Sequence, residues 1–285
     1  MLVTGCSSGI GEAIARRLAR GSHPVYATAR DVASLAGLAA AGCRTLALDV
    51  TDEESVRSAV TAVEEAEGAV GVLVNNAGFS RSGPVETVPM DDARRQFETN
   101  LFGAARLIQL CLPGMRRQGW GRIVNVGTIG RRLVFPGGGW YHASKHALES
   151  LSDALRFEVA GFGVDVVVVE PGFIRTRFSE AAVASLDAED PVYGGLVAQV
   201  AASTVGVYRR GRLAGLGGTA DDVARVVERA VTAARPRARY PVTPSARLLI
   251  AARAAMPDRA WDALLRRTFP QPGQTEPGAS PPVPD

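Results

Sequence analysis

What this chain of 285 residues has least of is lysine: all but one of its 32 basic residues are arginine. Histidine is also scarce, and the three cysteines, Cys6, Cys43 and Cys111, stand far apart with no Cys-x-x-Cys pair or Cys/His cluster. That spacing indicates neither a disulfide framework nor a metal site, and it suits a reducing, cytoplasmic compartment. No apolar run approaches the roughly 18 residues of a transmembrane helix, and no basic-then-apolar stretch marks the start as a signal segment. The formal charge is only +3. Arginines interleave with acidic residues along helical patterns, as on solvated faces rather than along a nucleic-acid-binding stripe. A soluble protein without nucleic-acid partners is therefore expected.

What is present is an apolar 46% of the chain, arranged in a regular alternation. Short β-branched runs are read as strands at Leu2–Thr4, Pro24–Thr28, Thr45–Asp49, Val70–Val74, Arg122–Val126, Val164–Glu170 and Arg239–Val242. Amphipathic patterns between them are read as helices at Gly9–Arg20, Val32–Ala41, Glu53–Glu67, Asp91–Arg117, Tyr141–Ala160 and Ala220–Ala234. A run such as Val-Asp-Val-Val-Val-Val is apolar on both faces, as a strand covered on both sides requires. The pattern predicts an α/β fold: a single Rossmann-type, doubly wound parallel sheet with helices on both faces. Leu2-Val3-Thr4 reads as the end of a strand that is either unusually short or begins upstream of Met1. One domain is expected over residues 1–269. Residues 177–218 form an insertion of the kind that makes lids, and the Pro- and Gly-rich 270–285 reads as a disordered tail.

The first strand runs into Thr4-Gly5-Cys6-Ser7-Ser8-Gly9-Ile10-Gly11, which opens the first helix. Glycines there let the backbone turn tightly and approach a ligand, and the helix N-terminus offers unpaired N–H groups to a pyrophosphate. Gly5, Ser7, Ser8, Gly9, Ile10 and Gly11 are thus candidates for dinucleotide binding. Gly5-Cys6-Ser7-Ser8-Gly9 also spells the Gly-x-Ser-x-Gly of a serine hydrolase. That reading demands a histidine late in the chain, and none follows His146. At the end of the second strand, Ala29 is followed by Arg30. A carboxylate there would accept ribose hydroxyls, whereas an arginine suits a 2′-phosphate, so NADP(H) is favoured over NAD(H).

The lone lysine, Lys145, lies four residues after Tyr141, one helical turn away on the same face. Together with the glycine loop, Asn75-Asn76-Ala77-Gly78 and Pro171-Gly172, this Tyr-x-x-x-Lys stands in the order and spacing of the short-chain dehydrogenase/reductase family, which the chain resembles over residues 2–242. More narrowly it is similar to the branch of retinol and 17β-hydroxysteroid dehydrogenases. The resemblance implies an NADP(H)-dependent oxidoreductase acting on a CH–OH group, with hydride transfer between cofactor and substrate. Tyr141 would be the general acid/base, and Lys145 would hold the cofactor ribose and lower the tyrosine pKa from its usual value of about 10. Thr128 occupies the place of the family serine that polarises the substrate oxygen, keeping the hydroxyl but adding a methyl group. Asn100 matches the asparagine that helps hold a proton-relay water.

By the same transfer Asp49 and Val50 would flank the adenine, and Asn76, Ala77 and Gly78 would pass beneath the adenosine ribose. Ile174 and Thr176 would engage the nicotinamide carboxamide, with Pro171 and Gly172 beside them. Pro171-Gly172 serves equally well as a strand-ending turn, and Asn75-Asn76 as a backbone-satisfying pair. His142 and His146 carry no pattern that suggests metal or acid–base work. The small and apolar insertion at 177–218 suits a lid over a lipophilic alcohol or ketone, and equally a loosely packed surface loop. The segment 245–269 is compatible with a helical cap on the pocket, an oligomer contact or a membrane-surface helix, in that order. A homodimer or homotetramer is expected from the family's habit. The alternative function is a non-catalytic NADP-binding sensor of the same fold.

Overall fold

The computed structural model describes residues 1–131, 133–209 and 217–273. Seven strands are present, each within two residues of its expected bounds: β1 Leu2–Val3, β2 Tyr26–Ala29, β3 Arg44–Ala47, β4 Val72–Asn75, β5 Gly121–Val126, β6 Val164–Glu170 and β7 Arg239–Pro241. They form one sheet in the order β3-β2-β1-β4-β5-β6-β7, and every pairing is parallel. The short β1 is central, with Val3 opposite Ala27 on one side and Val74 on the other. Strand order reverses there, because β2 lies to one side of β1 and β4 to the other. In a doubly wound sheet, ligands bind in the crevice at the carboxyl ends of such a pair.

The connecting helices are α1 Gly9–Leu18, α2 Ala36–Ala39, α3 Glu53–Glu67, α4 Met90–Phe97, α5 Gly103–Arg117, α6 Gly139–Val159, α7 Arg177–Ala184, α8 Gly194–Arg209, α9 Ala220–Thr232, α10 Pro244–Ala255 and α11 Asp258–Arg266. Two apolar layers result. On one face Ile14 and Leu18 of α1 meet Val223, Val227 and Ala230 of α9 over Val3, Val74, Val124 and Val167. On the other, Val56 and Val63 of α3 and Leu107, Cys111 and Met115 of α5 pack on Leu2, Leu73, Ile123 and Val166. Each fully buried aliphatic side chain contributes about 1.5–3 kcal/mol. The alternation along β6 explains why it reads as continuous valine: successive residues feed opposite layers and nearly all are buried. Arg122, itself buried in β5, donates to the carbonyls of Ala230, Val231 and Ala233, closing the C-terminus of α9.

Two expected helices differ in detail. Val32–Ala41 is a 3-10 turn over Val32–Leu35 followed by the four-residue α2. Only Leu35 and Leu38 are buried there, a spacing of three that the tighter helix satisfies. The expected continuous helix Asp91–Arg117 is interrupted by a π-helical segment over Glu98–Phe102.

The insertion carries two helices, α7 and α8, and its residues 210–216 lie outside the described residues. It is tied to the segment after β4 by polar contacts. Ser82 N donates to Ser185 Oγ at 2.9 Å and Tyr193 Oη donates to Glu86 Oε2 at 2.5 Å. Helices α10 and α11 lie against the segment after β5, where Leu249, Ile250 and Trp261 pack on Ile129, Leu133 and Phe135. Of the tail expected to be disordered, 274–285 lie outside the described residues. Among the described residues no helix is long and apolar enough to cross a membrane.

Candidate active site

The glycine loop turns at the carboxyl end of β1, and two of its glycines are required by contact. Gly5 sits at φ 70°, and a Cβ on it would stand 2.8 Å from Ala77 Cα. A Cβ on Gly11 would stand 2.1 Å from Gly5 O. Ser8 precedes α1 in extended backbone without a side-chain capping bond, so the first-turn N–H groups keep their donor capacity for a ligand. Ser7 is exposed and Ile10 half-buried. Gly9 faces Thr176, whose methyl group would lie 3.5 Å from a Cβ at that glycine. The loops after β1 and β6 therefore face each other, which brings Thr176 to the side of the glycine loop. Ile174 is buried and bridges to Gly218; Thr176 also caps α7, accepting from Phe178 N.

The loop after β4 is stitched to the glycine loop. Thr4 Oγ1 accepts from Asn76 N at 3.0 Å and Ala77 N at 2.9 Å, and Asn76 Nδ2 donates to the carbonyls of Thr4 and Gly5. Asn76 thus uses its side chain on backbone, whereas Asn75 is buried in the sheet and donates to Asn125 Oδ1. Thr4 stands inside the quoted glycine motif, yet its linking role is not readable from spacing.

At the end of β2, Arg30 is exposed. Nearby, burial works against the charge on Asp49, but hydrogen bonds from Thr51 N and Oγ1 and the charges of Arg30 and Arg95 outweigh it. The carboxyl is held below the usual carboxylate range. Arg30, Asp49 and the buried Val50 thus border one end of the crevice.

At its other end, Tyr141 and Lys145 lie on the first turns of α6, which β5 and β6 support from below. Lys145 is 5% exposed and donates from Nζ to Val126 O at 2.8 Å. Burial pushes its ammonium down to about 8, against the opposing charge of Glu149. Asn100, in the π-helical segment, is buried and pinned. Its Oδ1 accepts from Phe79 N, and its Nδ2 donates to Phe79 O and Ser144 Oγ, each at 3.0 Å. Asn100 and Lys145 meet beside the exposed Gly78, where a Cβ would lie 2.9 Å from Asn100 Oδ1 and 3.5 Å from Lys145 Nζ. A ligand backbone or ribose can approach there because no side chain intervenes.

Thr128 follows β5 and is half-buried; its Oγ1 accepts from Gly130 N at 3.2 Å, a bond that leaves its own O–H as a donor. Pro171 O accepts from Ile129 N, so the strand-ending turn after β6 also sets the Thr128 segment. Gly172 is hemmed in by Thr243, whose Oγ1 would stand 2.5 Å from a Cβ at that position. The Tyr141 ring packs against Phe178 of α7 at 5.4 Å between centroids and His142 at 5.5 Å. His142 is lowered to about 4 by burial, hence neutral near pH 7. It lies against Gly130 and Phe135, so it lines the site rather than standing free on the helix.

The chain is similar to known proteins. The family described as short chain dehydrogenase matches residues 1–187. An NADPH-dependent 3-dehydrocapnine reductase from Ornithobacterium rhinotracheale is 35% identical over 272 residues, 92% of this chain and 94% of that one. Human 17-beta-hydroxysteroid dehydrogenase type 1 is 40% identical over 197 residues, 65% of this chain and 60% of that one. Among solved structures, the closed form of serine dehydrogenase complexed with NADP+ superposes with a TM-score of 0.74 at 27% identity, covering 86% of this chain and 94% of that one.

Proposed function

The chain belongs to the short-chain dehydrogenase family, and from that premise we propose that it interconverts a lipophilic alcohol and its ketone or aldehyde with NADP(H). The observation that carries this reading is the burial of the chain's single lysine one turn from Tyr141, with its ammonium beside Gly78 and Asn100. The crevice suits the cofactor: Gly5 and Gly11 let the loop after β1 turn tightly against Ala77 and its own backbone, and the uncapped N-terminus of α1 offers donors to the pyrophosphate. Arg30 would pair with the 2′-phosphate, Asp49 and Val50 would flank the adenine, and Ile174 and Thr176 would meet the carboxamide.

When bound, the cofactor supplies or accepts the hydride. The chain's own residues place the substrate and move the proton. Thr128 donates its hydroxyl hydrogen to the substrate oxygen. Tyr141 exchanges a proton with that oxygen, and the Lys145 ammonium favours its phenolate form. Phe178 on the lid and the Phe135–Trp261 stack, 5.8 Å between centroids, exclude water and select apolar substrates. Residues 177–218 act as the lid and 245–269 as the cap of a single catalytic domain spanning 1–269. Exposed Phe102, Leu151, Phe157 and Phe162 along and beside α6 form the face on which copies of the chain would associate.

The test is to mix purified protein with NADPH and a panel of lipophilic ketones and follow the loss of nicotinamide absorbance. Turnover of at least one ketone is expected. NADPH binding without turnover of any would replace this reading with a non-catalytic cofactor sensor, the reading that Thr128 in the serine position favours.

A further inference from the structure

Lys145 does not stand alone in the core. One turn further along α6, Glu149 is 1% exposed. Arg239, in the edge strand β7, donates from Nη1 to Glu149 Oε2 at 2.6 Å and to Glu170 Oε1 at 3.2 Å, and from Nη2 to Asp153 Oδ2 at 2.5 Å. The other oxygen of Glu149 lies beside Gly127, just past the strand that anchors the lysine, where a Cβ would come within 2.8 Å of Glu149 Oε1. Gly127 joins Val126, whose carbonyl accepts from Lys145, to Thr128.

Burying a carboxylate this completely costs several kcal/mol before its partners are counted. Arg239 holds two further acidic partners, Asp153 and Glu170, at the sheet edge; for Lys145 the acidic group one turn along its own helix is Glu149. Among the described residues the charged groups of this cluster are Glu149 and Asp153 on α6, Glu170 on β6 and Arg239 on β7, with Arg156 of α6 donating to Asp153. Asn100, Gly78 and the Val126 carbonyl bring only neutral groups to the ammonium, and Tyr141 stands one turn before it. Of the charges, Glu149 is the one that works against the desolvation of Lys145.

We propose that Glu149 is a positioning residue for the reaction: clamped by Arg239, it is the counter-charge that keeps Lys145 an ammonium and fixes it beside Gly78 and Asn100. The proposal rests on Tyr141 and Lys145 being the proton-transferring pair, and its test separates the two. Because the chain holds one lysine, growth on 13C-lysine labels a single side chain, and its Cε–Hε signal reports the protonation of Lys145 directly. Glu149→Gln should lower the midpoint of that titration by about one unit, a tenfold loss in proton affinity. Glu149→Asp keeps the charge but withdraws it, and should lower the midpoint by about half a unit, a threefold loss in proton affinity. Asp153→Asn touches the same arginine without facing the lysine and should leave the midpoint in place.

The alkaline limb of the pH profile for ketone reduction should move with the titration in each variant. A midpoint unmoved in Glu149→Asp, or moved equally by Asp153→Asn, overturns the proposal, as does a pH profile that stays fixed while the titration shifts. Should the parent protein reduce no ketone, the activity reading fails, while the titration still decides whether Glu149 governs the lysine's charge.

Discussion

The two ends of the crevice are held together in different ways. At the nucleotide end, Thr4, Gly5, Asn76 and Ala77 are joined by hydrogen bonds between backbone and short side chains, and glycines stand where a Cβ would overlap a neighbouring backbone atom. At the substrate end, Phe135 meets His142 and Trp261, and Tyr141 meets Phe178, through tilted ring contacts, and Ser82, Ser185, Tyr193 and Glu86 tie the lid to the segment after β4. Hydrogen-bonded stitches tolerate one geometry, whereas apolar stacks tolerate many at similar energy. Under the proposed function the first end would hold one invariant molecule and the second would be adjusted to a variable one. Between them lies a seam, with Thr128, Tyr141, Lys145 and Asn100, that belongs to neither plan.

That contrast assigns different readouts to different substitutions. The largest effect is expected at the seam. Lys145→Arg keeps the charge but offers a planar fork with a permanently high pKa, and turnover should fall roughly 10³-fold, with NADPH affinity measured alongside by fluorescence. Turnover near that of the parent would show that the placement of the lysine is coincidental. Thr128→Ala comes next, with about a 10²-fold loss in kcat expected on removing one donor to the reacting oxygen; an unchanged kcat would show the hydroxyl unused.

At the nucleotide end, Arg30→Ala should weaken NADPH by about 1.5–3 kcal/mol, the range of a hydrogen bond to a charged group, and NADH hardly at all. Equal losses in titrations of both would break the assignment of that end to a 2′-phosphate. The smallest effect on chemistry belongs to the substrate end. Trp261→Ala should raise KM for bulky ketones by about tenfold, equivalent to 1.4 kcal/mol, while kcat with a small ketone and NADPH affinity stay within twofold. A matching loss of cofactor affinity would show that the two ends are not separate.

Much of this organisation was legible in the sequence, and the reasons are local. Continuous valine in β6, the Thr4–Gly11 loop and the Tyr141/Lys145 spacing each follow from one element's own geometry. The interruption of Asp91–Arg117 was not legible, because a π turn changes hydrogen-bond register without changing composition. Its cause is tertiary: Asn100 is pinned by Phe79 and Ser144, residues from two other parts of the chain. Arg239 and Glu149 escaped for the same reason, since 90 residues separate them and each reads alone as a surface charge. His142 read as an idle helix residue because its burial comes from Phe135 and Gly130 of a loop, not from its own helix.

The π segment over Glu98–Phe102 also acts as a phase shifter. One extra residue in a turn rotates everything downstream by about 100° around the helix axis. Helix α4 buries Ala93 and Gln96, the latter accepting from Arg81 N at the rim of the site, while α5 turns Leu107, Cys111 and Met115 into the layer below the sheet. A single helix register could not aim both faces correctly, and Asn100 sits where the register slips. Deleting any one residue from 98–102 would straighten the rod and rotate the apolar stripe of α5 out of its layer, so this polar crook also decides which way the next helix faces.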